Sequence, residues 1–264
     1  MSTLASPQPD EPAVTHDGGR LDEARWPVYA GKRILDVLLA VGGLAVCAPL
    51  MAALALLIRV TSRGPAWYVQ ERIGRGGQPF RMYKLRTMRA GAEEETGPVW
   101  SRLGDPRLTW LGACLRPWGL DELPQLLNVL WGQMSIVGPR PERTELAVRF
   151  ARLMPGYDRR HRVRPGLTGW AQVHGWRGST SLVQRLRHDL DYVERASLAL
   201  DLRIIATTPI SLVLSRFRRR EGPEPFVPTS PAAPGPQRDS GPLRTAIPDL
   251  RTPMADRVTG RPAR

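Results

Sequence analysis

A run of 25 residues, Ile34 to Ile58 (ILDVLLAVGGLAVCAPLMAALALLI), carries a single charge, Asp36. As a straight helix it would reach about 37 Å, longer than the roughly 30 Å hydrocarbon core of a bilayer. Two details complicate a plain spanning helix. Pro49 lies near its middle with Gly42 and Gly43 upstream, and proline there removes a backbone hydrogen bond and kinks the helix. Lys32 and Arg33 precede the run and Arg59 and Arg63 follow it. Cationic flanks stay in the cytoplasm, so both are satisfied only if the segment enters and leaves by one face. Three placements stay open on these residues: a re-entrant hairpin broken at Pro49, a spanning helix and a buried core helix. Asp36 is costly in lipid and is expected at a headgroup, beside a cation or solvated at the interface.

The 264 residues suffice for one domain with a real core plus extensions. The ends differ from the middle. Residues 1–25 are polar, Pro-containing and without apolar periodicity, which predicts disorder, and no apolar stretch at the start suggests a secretory signal. Residues 221–264 hold ten prolines in 44 positions and read as an extended, solvated tail. The resulting division is 1–25 disordered, 26–62 membrane segment, 63–220 globular domain and 221–264 tail. A net charge of +13 points to an anionic partner: nucleic acid, anionic lipid or a phosphate-bearing substrate. Two cysteines and four histidines show neither disulfide nor metal-ligand spacing.

Within the globular part, Gly64 to Met88 reads as a β-hairpin turning at Gly74-Arg75-Gly76-Gly77-Gln78. Lys84 and Arg86 lie two apart on its second strand and share a face, so they can converge on one anion or form a solvated basic face. RPGLTGWAQVHGWRG (Arg164 to Gly178) reads as a glycine-punctuated structured loop. Ser181 to Arg220 reads as helices, and Pro209 argues against one long helix at its end. That end is predicted as a membrane-surface helix or as a core helix with a basic terminus. Five central tryptophans, Trp67, Trp100, Trp110, Trp118 and Trp131, fit either an interfacial belt or core packing. The fold class is α+β, mostly helical, with a small β-hairpin and interfacial helices.

Chemistry concentrates in GLDELPQLLNVLWGQMSIVGPRP, Gly119 to Pro141. Leu123, Leu126, Leu127 and Leu130 repeat as one apolar helix face. Asp121 suits an N-cap, with Glu122 favoured by the helix dipole. A second function fits the same residues. A carboxylate can attack a phosphoanhydride, a second acid can act as a base or hold a metal, and cations neutralise the phosphates. Magnesium favours carboxylates together with substrate phosphates. Arg116 precedes the pair by five residues, and Arg140 follows between Pro139 and Pro141. Arginine's planar fork suits phosphate.

The motifs KRILDVLLA with Pro49, GPAWYVQERIG, YKLRTM, LDELPQLLNVLWGQMSIVGPRPE, RPGLTGWAQVHGWRG and LDLRII occur in one order from about Lys32 to Ser215. With them the chain resembles the bacterial sugar transferases, the monotopic polyprenol-phosphate phosphoglycosyl transferases. The resemblance implies a re-entrant helix-break-helix anchor with Pro49 at the break, and a catalytic domain on the cytoplasmic face of the bacterial inner membrane. It implies transfer of a sugar phosphate from a nucleotide diphosphate sugar to polyprenol phosphate. By the same resemblance Asp121 is the nucleophile and magnesium site, Glu122 its assistant, and magnesium the cofactor. Lys84, Arg86, Arg116, Arg140, Arg164 and Arg177 are the expected phosphate contacts. The HGWRG stretch is similar to members using UDP-glucose or a close hexose, and the chain looks like a short form of those members.

Three positions depart from the family pattern: Gln133 replaces a usual Asp, His174 a usual Asn, and RPWGLDE a Ser/Thr-rich approach to the pair. Gln133 and the long tail motivate a rival reading, a weakened scaffold homologue. The net charge motivates another, a membrane-tethered nucleic-acid binder, which leaves the acids among the cations unexplained. The partners the resemblance implies are UDP-sugar, polyprenol phosphate and membrane lipid, without nucleic acid.

Overall fold

The computed structural model describes residues 26–93, 105–178 and 180–217. The expected disordered N-terminus, the Pro-rich tail, Trp100 and Arg218 to Arg220 lie outside the described residues. The described part is mostly helical with two small sheets.

The apolar run lies in helix α1, Trp26–Thr61, with Pro49 inside it. The expected helix-break-helix is thus a single helix by its hydrogen bonding; Pro49 is exposed, where its missing N–H costs one rung without opening a buried gap. Residues 30–61 are long and apolar enough to cross a membrane by length and composition. One stripe of α1 faces the protein: Asp36, Ala40, Met51 and Ile58 are buried. The stripe touches the domain at two main places along the helix. Ala40 packs with Phe80, Met82, Val129 and Met134, and Ile58 packs with Ala66, Leu85, Leu111 and Leu115. Around the rest of the helix Ile34, Leu38, Val41, Val46, Leu50, Leu56 and Val60 are exposed.

Polar side chains fasten the start of α1. Asp36 is buried and accepts from Ser135 Oγ (3.0 Å) and the Ile136 amide (2.9 Å). Of its expected settings, solvation is corrected: the carboxylate is buried and docks the helix onto a strand. Lys32 Nζ meets Asp201 Oδ2 at 2.7 Å, and Arg33 donates to the Val129 and Leu130 carbonyls at 2.6 and 2.7 Å.

The hairpin forms as the sequence predicts. β1 (Trp67–Ile73) pairs antiparallel with β2 (Pro79–Leu85), with Trp67 opposite Leu85 and Ile73 opposite Pro79. Gly76 and Gly77 turn the chain at positive φ (66° and 76°), which glycine adopts without strain. α2 (Trp110–Leu115) follows, with Thr109 Oγ1 capping the Gly112 amide at 3.0 Å. α3 (Gln125–Leu130) buries Gln125, Leu126, Asn128 and Val129. The inward face is therefore centred on Leu126 and Val129, not on the whole leucine series, because Asn128 is needed inside. Its side chain accepts from the Tyr83 amide (3.1 Å) and donates to the Arg81 carbonyl (2.7 Å), fixing β2.

β3 (Ser135–Val137) and β4 (Gly166–Thr168) pair in parallel, so the segment read as a loop supplies a strand and then α5 (Trp170–Val173). Gly138, Gly166 and Gly169 let the two backbones nearly touch: a Cβ on Gly166 would overlap the Gly138 amide, and one on Gly169 its carbonyl. α4 (Thr144–Leu153) and α6 (Leu182–Arg195) supply Ala147, Phe150, Leu182 and Leu186 to a core with Ile73 and Tyr157. α7 (Leu198–Phe217) runs through Pro209 as one helix, correcting the expected interruption. In the turn before Pro209, the Thr207 and Thr208 hydroxyls bond the Arg203 and Ile204 carbonyls (2.9 and 2.7 Å). Ile204 is buried, while Leu202, Ile210, Val213 and Leu214 are exposed, as are Trp67, Trp110, Trp118 and Trp131.

Candidate active site

Leu120–Glu122 form a single 3-10 turn opened by Gly119, whose φ of 68° lies in the left-handed region. No side chain caps this turn, and α3 begins only after Pro124. The capping role expected of Asp121 is therefore corrected: its carboxylate sits before the helix rather than on its end. The tight turn sends the two acids into different surroundings. Lys84 Nζ donates to Glu122 Oε1 at 2.9 Å. Arg140 adds Nη1 to Oε2 at 3.1 Å and a second bond from Nη2 to Oε1. Asp121 is buried and lines the same cavity, but no described residue donates a hydrogen bond to its carboxylate.

Their proton affinities separate accordingly. Burial, then the adjacent Glu122 charge, pushes the Asp121 carboxyl up against the opposing pull of Lys84, Arg116 and Arg140. Burial would also raise Glu122, but Arg140 and Lys84 outweigh it and hold the carboxyl well below the usual range. Burial lowers the Lys84 ammonium, with Glu122 opposing.

The cavity measures about 780 Å³ and is lined by Lys84, Arg86, Arg116, Asp121, Glu122 and Arg140, with Arg72, Arg143 and Arg185 around them. That is room for a nucleotide-sized ligand. Arg116 donates from Nε to Thr87 Oγ1 at 2.8 Å. Arg86 reaches the cavity wall, but its Nη1 bonds the Arg63 carbonyl (2.6 Å) and its Nη2 bonds Ser62, so it ties β2 to the end of α1. Arg177 lines a neighbouring cavity, and Arg164 lines neither, having Arg75, Arg33 and Asp36 as its charge neighbours.

Residues that single-sequence reasoning passed over hold Arg140 in place. Arg160 Nη2 donates to the Arg140 carbonyl (2.8 Å) and to Asp189 Oδ2 (2.6 Å), while its Nη1 bonds the Tyr157 hydroxyl (2.8 Å). Glu142 accepts from the Arg143 amide (3.1 Å) and pairs with Arg72 and Arg185, each at 3.4 Å. Arg72 and Glu142 stand inside the motifs QERIG and PRPE, which was the available signal. Nothing comparable marks Arg160 or Asp189, whose role depends on α6 returning beside the Arg140 loop.

Gln133 lies outside the acidic site. Asn128 Nδ2 donates to Gln133 Oε1 at 2.7 Å, so an amide oxygen supports the side chain that fixes β2. His174 likewise lines neither cavity: its Nδ1 contacts the Trp170 carbonyl at 2.8 Å.

For magnesium, no cluster of three or more His, Cys, Asp or Glu exists among the described residues. Both Glu122 oxygens are engaged by cations, whereas the Asp121 carboxylate opens on the cavity without a bond. One open carboxylate fits an ion that takes its remaining ligands from substrate phosphates and water.

A buried, unbonded carboxylate beside an ion-paired one, among guanidinium groups in a nucleotide-sized cavity, has the chemistry of a phosphoryl-handling site. Comparison places the chain within one such class: it belongs to the bacterial sugar transferase family, whose model matches residues 28–215. A Caulobacter vibrioides protein named UDP-glucose:undecaprenyl-phosphate glucose-1-phosphate transferase is 47% identical over 195 residues, 72% of each chain. A Xanthomonas campestris pv. campestris protein of the same name is 42% identical over 206 residues, 76% of this chain and 42% of that one. An Aeromonas hydrophila UDP-N-acetylgalactosamine-undecaprenyl-phosphate N-acetylgalactosaminephosphotransferase is 42% identical over 197 residues, 74% of this chain and 46% of that one. The chain thus spans less than half the length of the last two relatives.

Proposed function

We propose that the protein transfers a sugar 1-phosphate from a UDP-sugar, UDP-glucose or a related hexose, to undecaprenyl phosphate and releases UMP. This is the first membrane step in assembling an exopolysaccharide, capsule or related glycan. The observation that carries the reading is the buried Asp121 carboxylate, unbonded and facing the cavity beside a Glu122 already paired with Lys84 and Arg140.

An Asp121 oxygen attacks the phosphorus that bears the sugar. The bond from that phosphorus to the bridging oxygen breaks, and UMP leaves with the electron pair. The aspartyl sugar phosphate is then attacked at the same phosphorus by an oxygen of the polyprenyl phosphate, which frees the Asp121 carboxylate. The raised proton affinity of Asp121 makes its ionised form the more nucleophilic carboxylate. Glu122 accepts the proton when the acceptor arrives protonated. Lys84, Arg116 and Arg140 balance the phosphate charge. Asp121 would hold magnesium together with substrate phosphate oxygens, and the ion would supply further charge neutralisation.

A re-entrant anchor in the inner membrane, with the domain on the cytoplasmic face, completes the reading. The domain binds both flanks of the apolar run: Lys32 and Arg33 at one end, and at the other the Arg63 carbonyl held by Arg86. Contacts from one domain to both flanks support entry and exit by the same face. The exposed tryptophans suit the headgroup layer of that face.

The test incubates purified protein with UDP-sugars, polyprenyl phosphate and magnesium and measures UMP. UMP release is expected, lost in Asp121→Asn. Without acceptor, intact-mass measurement is expected to find one sugar phosphate per wild-type chain. Undiminished turnover by Asp121→Asn would remove the nucleophile assignment.

A further inference from the structure

A second cavity of about 500 Å³ adjoins the first and shares Arg116, Glu122, Arg140 and Gly178 with it. Asp121 lines only the first, so Glu122 and Arg140 stand at the junction. The second cavity has a different character. Leu123, Ile136, Leu167, Ile205, Pro209 and Leu212 make apolar walls, and Arg177 adds a cation beside Arg116 and Arg140. Arg177 donates to the Gln172 carbonyl at 3.2 Å and to Ser211 Oγ at 3.4 Å, and no described carboxylate lies within ion-pair distance of it. Burial, reinforced by the Arg140 charge, lowers its pKa to about 10, so it stays a cation and lacks a direct counter-ion.

The apolar wall belongs largely to α7, which supplies Ile205, Pro209 and Leu212. The same helix exposes Leu202, Ile210, Val213 and Leu214 on its other sides. α7 starts against the cationic flank of the apolar run, through the Lys32–Asp201 pair at 2.7 Å. The cavity therefore lies behind an exposed apolar helix whose start sits where the anchor meets its flank.

We propose that this second cavity is the acceptor site: Arg177 holds the phosphate of the polyprenyl phosphate, and Ile205, Pro209 and Leu212 receive its first isoprene units. The donor nucleotide-sugar then occupies the first cavity, and the two meet at Glu122 and Arg140. A ligand with one anionic head and an apolar tail matches a cavity that sets a cation with no described carboxylate at ion-pair distance beside an aliphatic wall. A nucleotide would leave that wall unmatched. The assignment rests on the transferase reading above and adds to it the place of the acceptor.

The experiment measures donor and acceptor KM separately in UMP release, for wild type, Arg177→Gln and Leu212→Gln, with far-UV and thermal checks of folding. Loss of one charge-assisted contact is expected to raise the acceptor KM about ten- to hundredfold in Arg177→Gln, while the donor KM moves less than about twofold. Leu212→Gln is expected to raise the acceptor KM in the same direction. A photoreactive polyprenyl phosphate is expected to label Ile205 to Leu212 in the unmodified protein, in competition with polyprenyl phosphate and not with inorganic phosphate. Competition by inorganic phosphate alone, labelling elsewhere, equal rises in both KM values or an unchanged acceptor KM in both variants would overturn the assignment. Absence of UMP release by the wild type would overturn the transferase reading itself, and labelling would still report whether the cavity binds the lipid.

Discussion

Arg160 offers the sharpest separation of stability from positioning. It and Asp189 are each 2% exposed, and the pair meets at 2.6 Å. Arg160→Met leaves a buried carboxylate without its partner, and breaking such a pair costs about 3–5 kcal/mol. For a domain of this size that is a fall of about 6–20 °C in Tm. Removing both charges, as Arg160→Met with Asp189→Leu, ends the stranded charge. What remains is the Tyr157 hydroxyl and the Arg140 carbonyl without their donor, about 1–3 kcal/mol for each such group. The double variant should therefore unfold at a higher temperature than Arg160→Met alone.

Activity should not recover in step. The bond from Arg160 to the Arg140 carbonyl is absent in both variants, and under the proposed mechanism a loosely held phosphate-binding Arg140 costs up to about a hundredfold. The assay is UMP release from UDP-sugar in the same detergent as the melting curves, with kcat and donor KM reported apart. A double variant that regains wild-type kcat would refute the positioning argument. One no more stable than Arg160→Met would refute the stranded-charge argument.

Gln133→Asp should leave kcat within about twofold, because either side chain offers Asn128 an acceptor oxygen, whereas Asn128→Ala should lower Tm by several degrees; both are read by melting curves and UMP release. Glu142 is held below 4.5: burial raises it, but Arg72, Arg185 and Arg160 prevail. The unfolded chain then takes up its proton at higher pH than the folded one. The Glu142 contribution is complete above that ordinary value and is lost as pH falls through the folded value. Melting curves from about pH 6 to about pH 3.5 should show this decline, and Glu142→Gln should flatten it. Cysteines placed near Arg25 and Arg63, after replacement of Cys47 and Cys114, should both be labelled from the cytoplasmic side by an impermeant maleimide; labelling from opposite sides would mean a spanning helix.

Local signals were readable wherever a residue's job is done by its neighbours in sequence. The hairpin followed from aromatic and branched residues around a glycine turn, and both glycines sit at positive φ. The acidic pair and Arg140 were visible as a constellation, and Glu122 does meet Arg140 and Lys84. Side chains that work across the fold were not. Asp36 reads from sequence as a headgroup-facing, cation-paired or solvated charge, yet its two donors come from Ser135 and Ile136, about a hundred positions away. Lys84 and Arg86 looked equivalent on one strand face, yet Leu85 ends β2 between them, and Arg86 turns to Ser62 and Arg63. Pro209 looked like an interruption, since the sequence does not display the tertiary contacts that hold Ile204 in the core and keep α7 helical through it.

The adjacent acids become unlike because the 3-10 turn divides them, not because their residue types differ. Glu122 faces two cations and keeps its charge; Asp121 faces the open cavity and takes up the proton more readily. This arrangement has a cost for any anionic ligand. Lys84 and Arg140 are both paired with Glu122, whose single negative charge offsets one of their two positive charges, so a diphosphate must share that carboxylate's place before it gains them in full. As it does so, the charges that hold Glu122 down are withdrawn and its proton affinity rises. Linkage requires the converse as well: protonating Glu122 must strengthen binding of the same anion. A carboxylate that is a poor base in the empty site thus gains basicity when phosphate fills it, at the junction of the first cavity with the proposed acceptor site.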